Sequence, residues 1–207
     1  MLTFRDFINN NIGVEDNEWQ MLEKQLTIKH YKKGETISFK NDIWTSVMYI
    51  NSGIVRSYIM NEQGKDFTRQ FYFNTLESRT ANLFVVDLSS LTTQLPSNRT
   101  FEVLSDCEVI IFSRENLYGL YEKYKKWEFV GRRMAELAYI DMDLFYFNLL
   151  TKTPKERYEY LKKTMAALIN EVPQYHIASY LGITPVSLSR IKNQSTKEKE
   201  KSRETPC

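Results

Sequence analysis

The 207-residue sequence predicts an α+β chain: a jelly-roll-like β roll led by short helices, one long helix, and a small all-α unit at the end. Three observations carry this. From about residue 30 to residue 113, short strand-like segments alternate with turn residues. From Leu117 to Leu149 the apolar spacing becomes helical. After Thr153, three further helical patterns follow, and the last two are joined by a helix-turn-helix signature. The corresponding boundaries are 1–125 for the β-roll unit, 126–150 for the long helix, 151–194 for the helix-turn-helix unit, and 195–207 for a charged tail without an apolar face, expected to be disordered.

In chain order, Phe4, Phe7, Ile8, Trp19, Leu22 and Leu26 recur at helical spacings, and the stretch from Asn9 to Gly13 divides them into two helices. Gly34 then opens ETISF, and Lys40-Asn41-Asp42 forms a turn. VMYI follows, Asn51-Ser52-Gly53 reads as the next turn, and IVRSYIM leads to a hairpin tip at 61–65 and on to DFTRQFYF. FVVDLSSLTTQ has room for one helical turn, and RTFEVLSDCEVIIFS reads as two strands around Ser105-Asp106. Ser113 fits an N-cap for the helical stretch beyond it, with a break expected near Lys125-Lys126.

In the second part of that stretch, Trp127, Val130, Met134, Leu137, Asp141 and Leu144 step by threes and fours, the pattern of a heptad seam. The opposite side is apolar too, with Phe129, Ala138, Met142, Phe145 and Leu149. A helix apolar on two sides needs two partners: its own β unit and the same helix of a second subunit. The seam residues are therefore the expected homodimer interface, with Asp141 as a register-fixing or pH-sensitive position. Next, Thr153-Pro154-Lys155-Glu156 combines an N-cap, a first-turn proline and a capping-box Glu.

Composition excludes several classes of function. No apolar run reaches the roughly 18 residues of a membrane helix, and MLTFRDFINNN lacks the features of a signal peptide. A cytoplasmic protein with no membrane contact is expected. Cys107 and Cys207 are too few for a zinc or iron–sulfur site, and His30 and His176 show no ligand spacing. Neither a metal nor a cofactor is expected. No phosphate loop, nucleophile elbow or H-E-x-x-H motif offers catalysis a foothold. Net charge is +2, yet residues 149–207 hold 11 Lys/Arg against 6 Asp/Glu, the electrostatic footprint of a nucleic-acid-binding segment.

Within that segment, YHIASYLGITPVSLSRIKN meets the demands of a helix-turn-helix. Ala178 is the small residue where two helices cross, and Gly182 supplies positive φ at the turn. Ile177, Leu181, Ile183, Leu188 and Ile191 bury the junction, while Thr184 caps the second helix and Pro185 opens it. That helix then exposes Pro185, Val186, Ser187, Ser189, Arg190 and Lys192. Arg190 is the candidate guanine reader. Ser187 and Ser189 are candidates for phosphates or bases, and Tyr175, His176 and Lys192 for phosphates.

Over residues 3–193 the chain resembles the Crp/Fnr family of bacterial transcription regulators. KKGETISFKND, YINSGIVRSYIMNEQGKDFTRQFYF and IASYLGITPVSLSRI carry the match. The resemblance implies a cyclic-nucleotide-binding-like sensor roll, a long dimerisation helix and a helix-turn-helix that reads a palindromic operator in DNA. It also implies RNA polymerase and a small-molecule effector as further partners. Members that bind cyclic nucleotides carry a Gly-Glu pair, whose Gly allows close backbone approach to the phosphate and whose Glu holds the ribose hydroxyl, and an Arg-Ser/Thr pair, whose Arg holds the cyclic phosphate. Here Val86-Asp87 replaces the first pair, and Arg99-Thr100 is displaced by about two positions from the second. Asp87, Arg99 and Thr100 are thus the ligand-site candidates, and no response to cyclic nucleotides is expected. Many relatives follow the second helix with a β-hairpin wing, whereas this chain turns polar and charged after Asn193. The alternative is a ligand-binding or protein-interaction module that has lost DNA binding. The missing wing and the apolar Pro185 and Val186 favour it; Thr184, Ser189 and Arg190 favour the regulator.

Overall fold

The computed structural model describes residues 3–204, with side chains placed for 3–194. Two short helices come first, α1 (Phe4–Ile12) and α2 (Asp16–Glu23). The Thr3 hydroxyl caps α1 by accepting from the Asp6 amide at 3.1 Å. The strands are β1 (Leu26–Tyr31), β2 (Thr36–Ser38), β3 (Ser46–Met60) and β4 (Asp66–Phe73). After the short α3 (Thr80–Leu83) come β5 (Phe84–Val85), α4 (Leu88–Thr93) and β6 (Thr100–Ser113). Among the described residues these strands form one antiparallel sheet in the order β1-β6-β3-β4, with β2 also on β6 and β5 on β3.

Two turn signals of the sequence are bulges instead. Asn51-Ser52-Gly53 does not divide two strands but lies inside the continuous β3, and Ser105-Asp106 lies inside the continuous β6. The irregularities face each other, since the β3–β6 register slips around Ser52 and Ile54. Paired bulges let one long ribbon bend into a roll without breaking its ladder. Gly53 is required there: at φ +91°, a Cβ would come within 2.3 Å of the Cys107 Cβ. The strands also begin earlier than expected, at Leu26, which the helical reading had included. The 61–65 tip holds as a turn, with Asn61 Oδ1 accepting from the Gln63 and Lys65 amides.

Beyond the sheet, α5 (Arg114–Lys123) and α6 (Lys125–Thr151) are separated at Tyr124, close to the expected break. The Ser113 hydroxyl caps α5 through the Asn116 amide at 3.1 Å. Then follow α7 (Pro154–Thr164), α8 (Ala166–Glu171), α9 (Gln174–Tyr180) and α10 (Pro185–Glu204). Thr153 and Glu156 close the capping box reciprocally at 3.3 and 2.8 Å. α10 continues past Asn193 to Glu204, over backbone expected to be disordered. Those added residues are mostly Lys, Glu, Ser and Arg, with neither Gly nor Pro before Pro206, so propensity favours continuing the helix. The remainder of the predicted tail, 205–207, lies outside the described residues.

Three apolar clusters tie these layers together. One fills the roll, with Trp44, Val55, Tyr72, Phe101 and Val109. A second packs α1, α2 and the start of α6 on Tyr49 and Phe112. The third joins Ile54, Phe71, Phe73 and Leu104 of the sheet to Tyr158, Leu161, Leu168, Ile177 and Leu188 of the C-terminal helices. The helix-turn-helix therefore shares a core with the sheet. Among the described residues, no helix is long and apolar enough to cross a membrane.

Candidate functional site

The turn between α9 and α10 has the geometry its residues demanded. Ala178 is fully buried where the helices cross, and its carbonyl accepts from the Ile183 amide at 3.0 Å. Gly182 takes φ +69°. The Thr184 hydroxyl caps α10 by accepting from the Ser187 amide at 3.2 Å. Leu188 and Ile191 point into the shared core. With those two inward, Pro185, Val186, Ser189 and Arg190 are exposed, Val186 at 61%. Ser187 is half-buried, and Lys192 donates to Gln174 Oε1 at 2.9 Å, bridging the two helices at the edge of the same face. Tyr175 is exposed beside it.

His176 is a correction. It is only 2% exposed and faces the sheet, not the solvent, so in this arrangement it cannot touch a phosphate. Burial, reinforced by the nearby Arg56 guanidinium, pushes its pKa down to about 4, so the ring is neutral. Arg56 itself is buried and held by Asp66 and Glu102, each at 2.7 Å. α9 lies along the outer edge of β4. There the Thr68 amide, which has no next strand to bond, donates to Ser179 Oγ at 2.7 Å, and Ser179 donates onward to the Asp66 carbonyl at 3.1 Å. A helix thus covers a sheet edge that would otherwise stay unpaired. The sequence reading missed Arg56 and Ser179; an Arg inside a predicted strand with acidic residues on its neighbours was the available signal.

The three ligand-site candidates separate. Asp87 is buried and occupied internally: it caps α4 through the Ser90 amide at 3.4 Å and accepts from Ser97 Oγ at 2.7 Å. Thr100 accepts from the Lys40 amide at 3.3 Å. Only Arg99 lines the large cavity, about 880 Å³, that opens between the roll, α6 and the C-terminal helices. Val86, which stands where a nucleotide-binding relative has Gly, lines it too. Arg69 joins this wall, its guanidinium over the Phe145 and Tyr146 rings.

The expected dimer seam also turns inward. Trp127 and Val130 are buried, and Met134 packs against the cluster around Phe4 and Tyr49. Asp141 pairs with Arg79 at 2.9 Å, and Leu144 lines the cavity. Leu137 is half-buried. Of the opposite side read from the sequence, Ala138, Met142, Phe145 and Leu149 line the cavity as well, and only Phe129 is far exposed. The outward stripe is a third one: Phe129, Ile140, Phe147 and Leu150, flanked by Tyr139 and Tyr146. With Arg133, Glu136 and Asp143 between them, its positions again alternate steps of four and three. An apolar helix of 27 residues carries more than one heptad-like register, so the sequence pattern alone does not say which stripe the protomer's own core takes up.

Residues 28–124 match the cyclic nucleotide-binding domain family. The chain superposes on FixK2 from Bradyrhizobium japonicum with a TM-score of 0.69 at 18% identity, covering 84% of this chain and 85% of that one. It has the fold of Crp/Fnr regulators. A protein from Eubacterium rectale described as a transcriptional regulator of that family gives 0.67 at 17% identity, covering 92% and 87%. A CooA variant from Carboxydothermus hydrogenoformans gives 0.67 at 16% identity, covering 96% and 87%. No curated protein matches the chain in sequence. On this fold α10 is the second helix of the helix-turn-helix, and the cavity lies between the β roll and the long helix.

Proposed function

We propose that the protein is a homodimeric, sequence-specific DNA-binding transcription regulator of the cytoplasm. The observation that carries this is the face of α10, where an exposed Arg190 stands beside Val186 and Ser189, opposite a fully packed junction. Such a face suits the major groove, and a guanidinium at that place can pair bidentately with guanine. Tyr175 and Lys192 flank it as phosphate contacts. The helix-turn-helix is rigidly built, its turn and cap satisfied by backbone and hydroxyl bonds.

The outward stripe of α6 is the dimer interface in this reading. Large apolar side chains repeating along one helix face call for a partner, and two copies meeting there would align two recognition helices for a palindromic operator. Cyclic nucleotides are not the effector. Asp87 spends its carboxylate on α4 and Ser97, and Val86 occupies the place where a phosphate needs close backbone approach. RNA polymerase is a further partner carried by the fold analogy alone.

The test is selection of genomic DNA fragments by the purified protein at near-physiological salt. A recurring two-fold-symmetric sequence among the bound fragments is the expected result. Fragments bound without any sequence preference would end the regulator reading and favour an interaction module.

A further inference from the structure

Five arginines and one acidic residue, Asp141, line the cavity. Three of the five are already engaged. Arg79 is held by Asp141 and by the Tyr160 hydroxyl, each at 2.9 Å, and Arg132 pairs with Glu136. Arg157 donates to the Leu149 and Lys152 carbonyls at 3.1 and 2.7 Å. The side chains of Arg69 and Arg99 have neither a carboxylate nor a carbonyl partner among the described residues. Both residues are half-buried. Two such guanidinium groups repel each other, and burial strips the water that would screen them. The wall is short of anions.

The sheet brings these two residues to one region. Tyr58 of β3 pairs with Thr68 on one side and Thr100 on the other, and Ser57 pairs with Gln70 and Phe101. Arg69 is therefore the extra residue of a bulge in β4, and Arg99 directly precedes Thr100. Two strand spacings, roughly 10 Å, separate β4 from β6. A bulge re-aims a side chain, and the Arg69 guanidinium lies over the Phe145 and Tyr146 rings of α6, at 5.0 and 5.3 Å. Stacking occupies the face of a guanidinium and leaves the N–H donors in its plane open to an acceptor. Burial raises the pKa of the Tyr72 hydroxyl, while the Arg99 and Arg69 charges both reach it and work the other way.

We propose that the cavity binds an organic acid, a carboxylate on an apolar chain or ring, with its carboxylate at Arg69 and Arg99. A carboxylate matches the guanidinium fork and supplies the missing counter-charge. Val86 and the internally bonded Asp87 leave no close backbone approach for a phosphate, so the acid is one that side chains alone can hold. The body lies along α6, where Met134, Ala138, Met142 and Leu144 give an apolar wall. A cavity of about 880 Å³ takes a molecule of that size. Phe145, beneath Arg69, stacks in turn on Tyr180 of α9 at 5.3 Å. A ligand that holds Arg69 thus acts on the contact between α6 and the helix-turn-helix and shifts DNA affinity. That regulatory half rests on the DNA-binding reading; the binding half does not.

The experiment is calorimetric titration of the full-length protein with decanoate at neutral pH, and in parallel with 1-decanol and decyl phosphate. Saturable binding of about one decanoate per protomer is expected, about tenfold tighter than 1-decanol. Arg69→Gln and Arg99→Gln should each weaken decanoate by about tenfold and barely alter 1-decanol. Arg132→Gln, whose charge Glu136 already meets, should change decanoate by less than about twofold. Circular dichroism checks the fold of each variant. Where a glutamine variant does not fold, the lysine variant replaces it, with about a fivefold loss expected because the fork is gone while the charge stays. No saturable decanoate binding, or 1-decanol or decyl phosphate binding as tightly, would overturn the site. Decanoate affinity unchanged at Arg69 and Arg99, or lost equally at Arg132, would overturn the assignment of those two residues. DNA affinity is then measured with and without decanoate. An unchanged value would overturn the coupling while leaving the site, and a wild type that binds no DNA would leave the titrations decisive on their own.

Discussion

The two sides of α6 both carry large apolar residues, and these meet opposite fates. Inward, Trp127, Val130 and Met134 close the cluster around Phe4, Trp19 and Tyr49. Outward, Phe129, Ile140, Phe147 and Leu150 stand in solvent, Leu150 at 83% exposure. Both sides carry large apolar residues at heptad-like steps, the outward one interrupted by Arg133, Glu136 and Asp143, so periodicity alone does not say which side meets the roll. The difference teaches that a helix pattern reports the number of partners a helix needs, and that the placement of the sheet decides which stripe each partner takes.

Substitutions can sharpen this contrast. Ile140→Asp with Phe147→Asp should turn a dimer into a monomer, weakening association by more than about 100-fold, because charges are buried unpaired at the interface. Thermal unfolding of the isolated protomer should barely move. Analytical ultracentrifugation checks the first statement; a wild type already monomeric would remove the dimer. On the inward side, Trp127→Ala should cost about 3–5 kcal/mol of stability in denaturant melts and leave the association state of the folded fraction alone. If Trp127→Ala instead dissociates a well-folded dimer, the assignment of the two sides is reversed.

The same contrast recurs in the helix-turn-helix, where His176 faces the sheet and Arg190 faces out. Folded His176 resists protonation down to about pH 4, whereas the unfolded residue takes a proton near 6.5. Between these values the unfolded chain holds more protons, so this contribution is complete above about pH 6.5 and is lost toward pH 4, by at most about 3 kcal/mol. His176→Leu should flatten the stability profile in that window. A wild type equally stable at pH 4.5 and pH 7 would show that His176 is not held neutral. The smallest effect belongs to Asp141, placed on the dimer seam by the sequence and found beside Arg79 with a quarter of its side chain exposed. Asp141→Asn should cost roughly 1 kcal/mol or less and leave dimer affinity unaltered at every pH.

What the sequence made legible were features carried by local chemistry. Thr153-Pro154, Ser113, the 61–65 tip, and Ala178, Gly182 and Thr184 each prescribe a conformation within a few residues, and each was found in it. What escaped depends on long-range pairing. Whether Gly53 makes a turn or a bulge depends on the strand opposite it at Cys107. His176 reads as a phosphate contact only if α9 is imagined free of the sheet. Asp87 looked like a shortened ribose ligand, yet Ser97 and the first turn of α4 hold its carboxylate. Ser179, which joins the two units, gave no local signal, because its partners at Asp66 and Thr68 lie far away in the chain, and Arg56 could be suspected only from the acidic residues on neighbouring strands.

Sequence-specific DNA recognition is the central claim, and Arg190 tests it most directly. The measurement is fluorescence anisotropy of wild type and Arg190→Ala on the selected operator and on a random duplex, at the same near-physiological salt. A bidentate guanine contact contributes roughly 1–3 kcal/mol of discrimination, felt twice on a two-fold site. Arg190→Ala should therefore erase most of the preference for the operator while leaving weak, salt-dependent binding to random DNA. Lys192→Ala, run beside it, should weaken both duplexes about equally. Equal losses on both duplexes for Arg190→Ala would contradict the assignment of Arg190 as the base reader, and a wild type without any preference between them would contradict the regulator itself.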